Sequence, residues 1–159
     1  RMLSLFADRA QRAEGIDLSH KMLTVARSNL ERQGLSHTSV RHGDVTAPPY
    51  ADEVADLVIV HQVLHYLDRP ERVISEASRI LRPGGRLIIV DFEPHNLEFL
   101  RSQHAHRHLG LSDSEIEAWA NSAGSKPLEP HTCPPAGDTE LAVRIWTADK
   151  LPQIGERAA

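Results

Sequence analysis

The sequence predicts an α/β fold: a three-layer sandwich of mainly parallel strands with one antiparallel strand near the C-terminus. Three observations carry that expectation. Residues 56–60 and 86–91 are apolar and β-branched without alternation, the pattern of strands buried on both faces. Between them Val73, Ile74, Ala77, Ile80 and Leu81 recur at helical spacing and define one apolar face. Two such strands joined by a single helix need a right-handed crossover, and therefore pair in parallel.

Composition agrees with that class and removes others. The chain has 159 residues, 40% hydrophobic and 25% charged, which fits one globular domain, read here as residues 1–150 with a tail over 151–159. No apolar run reaches the roughly 20 residues of a membrane span, and the first residues carry no secretory pattern. The single cysteine, Cys133, excludes an internal disulfide and a zinc ribbon. A net charge of -4 provides no general attraction for nucleic acid or an acidic membrane. A soluble cytoplasmic domain is the expectation.

The elements follow in order. Met2 to Ala7 reads as the end of an amphipathic helix, so a fragment of a longer protein is expected. Glu14, Gly15, Ile16 and Asp17 form a short strand ending in a carboxylate. Ser19 then caps a helix with Met22, Leu23, Ala26 and Leu30 on one side, and Gly34 stops it. Residues 39–42 make a second short strand, followed by Gly43 and Asp44. Asp68, Arg69, Pro70 and Glu71 read as a capping-box helix start with proline in the first turn, and Pro83, Gly84 and Gly85 as that helix's stop. Beyond Pro94, Leu97, Leu100 and Gln103 lead helically into a histidine-rich stretch ending at Gly110. Ser112 to Glu115 is a second capping box, opening a helix with Ile116, Trp119, Ala120 and Ala123 before Gly124. Residues 140–146 alternate like an edge or antiparallel strand, and from Gly155 the chain reads as a frayed tail.

In an open α/β sheet, ligands bind beyond the carboxyl ends of the strands. Three strand ends here carry polar groups: Asp17, Asp44 and His61. A carboxylate after the second strand of such a sheet accepts from both ribose hydroxyls, and one after the third accepts from the exocyclic amine of adenine. Leu18 and Met22 supply apolar walls for a purine. Singly, an aspartate before a helix is a cap and Gly-Asp is a turn. At consecutive strand ends the functional reading outweighs the bland one.

Glu14 to Leu23 (EGIDLSHKML), Gly43-Asp44-Val45, Asp56 to Leu67 (DLVIVHQVLHYL) and Leu81 to Leu87 (LRPGGRL) resemble, in order and spacing, the motifs of class I S-adenosylmethionine-dependent methyltransferases. The resemblance is to the branch that includes the ubiquinone/menaquinone-type small-molecule enzymes, and it runs from Arg1 to about Trp146. It implies a Rossmann-like fold and S-adenosyl-L-methionine as cofactor. By position, it makes Asp17 the ribose ligand, Leu18 and Met22 the adenine neighbours, and Asp44 the ligand of the adenine amine, with Val45 packed on the ring. Val60 and His61 fall where main chain meets the methionine part, and His65 and Tyr66 lie on the rim nearer the methyl acceptor. Pro83, Gly84 and Gly85 form a structural turn. The family's first strand and glycine-rich loop are missing from this chain, so weak or no cofactor binding by the chain alone is expected. The segment from Pro94 to Asp113 is similar to methyltransferase domains fused behind winged-helix regulators of the arsenical-repressor type. That similarity implies an upstream DNA-binding domain, although none of these residues binds DNA.

The implied reaction moves the sulfonium methyl group to a small-molecule acceptor, and aligning the two reactants can contribute about 7–11 kcal/mol. His65 is the one candidate for a general base. His104 and His108, four apart on a helix, could face the acceptor pocket from above, with His106 facing elsewhere. No carboxylate or cysteine completes a metal set with them, so no metal site is expected. Cys133 has no neighbour that would make it a nucleophile, and Arg79, Arg82 and Arg86 suit a helix end better than a nucleic-acid patch. Two other readings remain at this level: a nicotinamide-binding domain, and a non-catalytic sensing or dimerisation domain of a regulator, for which a homodimer is an expected state. The acceptor has no diagnostic motif.

Overall fold

In the computed structural model the described residues are 1–133, 135 and 141–152. They fall in two compact units, Arg1–Pro49 and Tyr50–Ala159.

In the first unit a short helix α1 (Met2–Phe6) precedes strand β1 (Ala13–Asp17), helix α2 (His20–Arg32) and strand β2 (Thr38–His42). Ser19 caps α2 as expected, accepting a hydrogen bond from the Met22 amide at 3.3 Å. Gly34 follows the helix at φ +68°, a conformation a side chain would strain. β1 and β2 pair in parallel with Asp17 opposite His42. Leu23, Leu30 and Ala7 are the buried apolar side chains.

In the second unit strand β3 (Ala55–His61) leads through a 3-10 turn (Leu64–Tyr66) to helix α3 (Pro70–Ile80) and strand β4 (Leu81–Phe92). Then come α4 (Phe99–His104), α5 (Asp113–Ser122), β5 (Ser125–Pro127), β6 (His131–Cys133) and β7 (Val143–Lys150). β3 and β4 are the parallel pair predicted for the α3 crossover. β7 is antiparallel to β4, β5 and β6, so it runs inside the sheet, whose order is β3-β4-β7-β5. Val73, Ile74 and Ala77 of α3, Ile116 and Ala120 of α5, and Leu87, Ile89, Trp146 and Ala148 of the sheet are buried. The Ser112 capping box of α5 forms on both sides. No helix among the described residues is long and apolar enough to cross a membrane.

Several local expectations are corrected. β3 is not buried on both faces: among the described residues it ends its sheet with β4 as its one strand partner, and Leu57 is 39% exposed. β4 alternates instead, with Leu87, Ile89 and Asp91 buried and Ile88, Val90 and Phe92 partly exposed. α3 starts without a capping box. Its N-cap is Arg69, with no side-chain cap, and the helix relies on Pro70 to preset its first turn. Asp68 pairs instead with Arg107 at 3.4 Å and Glu71 with Arg69 at 3.0 Å. α3 also ends before Pro83, because Leu81 is already extended and opens β4, whose register with β3 shifts between Ala55 and Leu57. The histidine-rich stretch is not one helix. α4 stops at His104, where Ala105 takes a left-handed conformation (φ 56°). Glu140 and the predicted tail from Gly155 lie outside the described residues.

Candidate active site

The first unit gathers five of the predicted residues, Asp17, Leu18, Met22, Asp44 and Val45, around the carboxyl end of one parallel strand pair. Asp17 ends β1, and its Oδ1 accepts from the Ser19 amide at 2.7 Å. Its second oxygen has no hydrogen-bond partner among the described residues. The Gly43 amide donates to the Asp17 carbonyl at 3.2 Å, extending the ladder one step and keeping the two strand ends together. Asp44 follows at once. Its Oδ1 accepts from the Thr46 amide and hydroxyl, both at 2.8 Å, a local turn of the kind aspartate favours. Val45 beside it is half-buried. Because α2 begins only at His20, Leu18 lies in the connecting turn and Met22 in the first helical turn, and both are more than half exposed (57% and 56%). Two large apolar side chains beside an incompletely bonded carboxylate make a surface suited to a nucleoside, with an apolar face for the base and an acceptor for hydroxyls. The His20 and His42 rings stack in parallel, centroids 4.3 Å apart, linking the start of α2 to the end of β2.

In the second unit Val60 is buried and His61 exposed at the end of β3. Gln62 then has a positive φ of 48°, and its amide donates to the Val90 carbonyl at 2.7 Å. A non-glycine residue held there marks a sharply turned strand end. Tyr66 is 46% exposed, whereas His65, expected on a rim, is instead buried, at 1% exposure. His65 is buried because its Nδ1 lies 2.6 Å from Oδ1 of Asp91, a wholly buried carboxylate on β4. Asp91 also accepts from the Leu64 amide at 3.0 Å and the Phe92 amide at 2.9 Å.

His106 is the buried member of the histidine-rich stretch, contrary to the expected pairing of His104 with His108. The left-handed Ala105 turns the chain so that the His106 ring lies tilted against His65, centroids 4.3 Å apart, and His104 is left exposed. His108 Nε2 lies 2.9 Å from the Leu67 carbonyl instead. Burial, and then the neighbouring His65, His95 and His104, push the His106 pKa below the ordinary histidine value. Burial does the same to His95, with His65 and Arg101 adding to it. Asp91 and His106 were not among the sequence candidates. A signal for Asp91 existed, since it continues the phase of Leu87 and Ile89 on the buried face of β4; His106 had none beyond its apolar neighbour Ala105. Among the described residues no three histidine, cysteine or carboxylate groups are arranged to hold a metal ion.

The model of a family described as a methyltransferase domain matches residues 1–89. The chain belongs to this family of S-adenosylmethionine-dependent methyltransferases. It is 38% identical over 78 residues to phosphatidylethanolamine N-methyltransferase of Cereibacter sphaeroides, covering 48% of this chain and 38% of that protein. It is 31% identical over 78 residues to demethylmenaquinone methyltransferase of Halalkalibacterium halodurans, covering 49% and 32%. The chain thus spans about a third of the length of these curated relatives. Among solved structures, a geranyl diphosphate methyltransferase in complex with S-adenosylmethionine superposes with a TM-score of 0.79 at 15% identity, over 94% of this chain and 73% of that one. This likeness establishes the Rossmann-like α/β fold.

Proposed function

We propose that this chain forms the cofactor-binding part of a methyltransferase that acts on a small molecule in the cytoplasm. The observation that carries the reading is the open surface at the end of the β1–β2 pair, where Asp17, Leu18 and Met22 offer the acceptor and walls a nucleoside needs. In this reading Asp17 holds the ribose hydroxyls, Leu18, Met22 and Val45 flank the adenine, and Asp44 takes its amine. Val60 and His61 lend main-chain contacts to the amino-acid end. S-adenosyl-L-methionine, when bound, supplies a methyl group already activated on sulfonium. The chain's own residues then have to hold and align the reactants and exclude water. His65 is the candidate for the group that finally holds the acceptor's proton, and its burial means that the proton reaches it through a neighbour.

Two finer expectations belong to the same reading. A further strand and a glycine-rich loop completing the site rest on the resemblance of the motifs alone. Fusion to a winged-helix regulator rests on the resemblance of residues 94–113.

The test is calorimetric titration of S-adenosylhomocysteine into this chain and into a longer parent chain carrying the additional strand and loop. The longer protein is expected to bind and to lose binding on Asp17→Ala. Tight binding by the short chain would overturn the need for the loop. Absence of binding by both, with each folded by circular dichroism, would overturn the cofactor assignment.

A further inference from the structure

We propose that His106, His65 and Asp91 form a proton relay that takes the proton of a hydroxylated methyl acceptor, with His106 the residue that meets that acceptor. The proposal rests on the methyltransferase reading and assigns its acceptor class.

The chain of groups can be followed outward from β4. Asp91 is fully buried, and two backbone amides donate to it besides His65. Amides donate to both of its oxygens, so Asp91 stands as the acceptor towards its neighbours. The 2.6 Å contact with His65 therefore places the proton on Nδ1 and leaves the neutral ring a bare lone pair on Nε2. That Nε2 is enclosed and has no partner among the described residues. On the adjacent ring, His106 Nδ1 is likewise enclosed and without a partner among them. The two ring centroids are 4.3 Å apart at a tilt of 38°. One ring is thus an acceptor lacking a donor. The other, as the Nδ1–H tautomer, is a donor lacking an acceptor.

An enclosed donor or acceptor left unsatisfied carries its full desolvation penalty, so a ring rotation that joins them is favoured. Their backbones are already tied, because the Arg107 and His108 amides both donate to the His65 carbonyl, at 2.8 and 3.1 Å. Exposure rises along the series, from 0% at Asp91 through 1% at His65 to 6% at His106. His106 Nε2 is not among the enclosed atoms, and it is the end of the relay that faces outward.

The groups facing His106 are His65 and Tyr66 on the 3-10 turn, Asp91 and Phe92 on β4, His95 on the loop that follows, and His104 on α4. Burial and three neighbouring histidines keep His106 neutral, hence a proton acceptor, at ordinary pH. His95 Nδ1 accepts from the Leu97 amide at 3.3 Å, which leaves its proton on Nε2, an atom that is also enclosed and without a partner among the described residues.

In the step, the acceptor O–H bond breaks and its proton goes to His106 Nε2 while Nδ1–H passes its proton to His65 Nε2. The acceptor oxygen takes the methyl group as the C–S electron pair returns to sulfur, leaving a neutral thioether. The resulting His65 imidazolium is stabilised by Asp91 and is discharged to solvent by the reverse path.

The test uses histidine-labelled chain, in the longer form if that is the form that binds cofactor, and 4-nitrophenol as the probe hydroxyl. Long-range nitrogen–proton NMR is expected to find Nδ1–H tautomers at both His65 and His106. At mildly acidic pH, added 4-nitrophenol is expected to develop its phenolate band on the protein. His106→Phe, which keeps the ring packing, is expected to lower that band about tenfold or more. Asp91→Asn is expected to lower it as well and to disturb the His65 tautomer, with circular dichroism confirming the fold. An Nε2–H tautomer at His106, or an undiminished band in His106→Phe, would overturn the relay. S-adenosylhomocysteine titrated in parallel separates the two readings. Cofactor binding without the phenolate band defeats the relay alone, and the band without cofactor binding defeats the methyltransferase reading on which it rests.

Discussion

Asp17 and Asp91 both stand at the end of a strand, in different units of the chain, and they are built in opposite ways. Asp17 is partly exposed, uses one oxygen on the Ser19 amide and keeps the other open, with Leu18 and Met22 bare beside it. Asp91 is sealed, and both oxygens are engaged by two amides and an imidazole. The first arrangement leaves bonding capacity for a ligand. The second spends it internally to orient His65. A carboxylate at a strand end is therefore not one kind of signal, and the number of donors already satisfied tells a ligand site from a positioning site.

The sharpest break of this comparison is in stability. Asp91→Ala leaves the His65 ring and two buried amides unsatisfied and is expected to cost about 3–5 kcal/mol in urea unfolding, whereas Asp17→Ala should stay within about 0.5 kcal/mol. Equal effects would mean that the two sites do not differ as described. The order reverses for ligand binding. Loss of charge-assisted hydrogen bonds in Asp17→Ala should weaken S-adenosylhomocysteine by about 1.5–3 kcal/mol in the binding-competent protein, measured by calorimetry.

Acid titration sharpens the contrast further. The His95 and His106 pKa values are lowered in the folded protein, so the unfolded chain binds protons first. Stability should therefore begin to fall as pH drops below about 6.5 and continue falling until the folded-state values are passed. His106→Phe should remove part of that slope. A separate acid loss should begin lower, as pH falls through the unfolded carboxylate range near about 4. It arises at Asp113, held down mainly by Arg144, and at Glu115, held down mainly by Ser112. His106→Phe should leave this second loss unchanged, and a pH series of thermal melts reads both windows. The smallest effect is expected at Met22→Ala, with stability unchanged within about 0.5 kcal/mol and about 1 kcal/mol of S-adenosylhomocysteine affinity lost.

Much of the β1–β2 end was legible along the chain because its parts are contiguous. Gly15 to Met22 places the carboxylate, the Ser19 cap and both apolar residues within one turn and its flanks, and local rules describe such segments well. The second unit was legible only in outline. The β3–α3–β4 crossover followed from apolar periodicity, but the capping box at Asp68 did not form, since Arg107 offered that carboxylate a partner from 39 positions along the chain. His65 was placed on a rim because its neighbour Tyr66 is there, and nothing local reveals that a carboxylate 26 residues away draws it inward.

The sequence by itself determined the α/β class, the parallel crossover, the two side-chain helix caps that formed and the carboxylate at the end of β1, because each depends on residues near one another in the chain. Tertiary structure decided which histidines are buried and which partners their ring nitrogens meet. Glycine at 110 is part of that decision: at φ +84°, a Cβ there would collide with the Glu93 carbonyl oxygen. Only a residue without a side chain lets the His106 loop return beside β4. Burial and tautomer depend on which donors meet in space, and their strength comes from the exclusion of water, which exists only once the chain has folded.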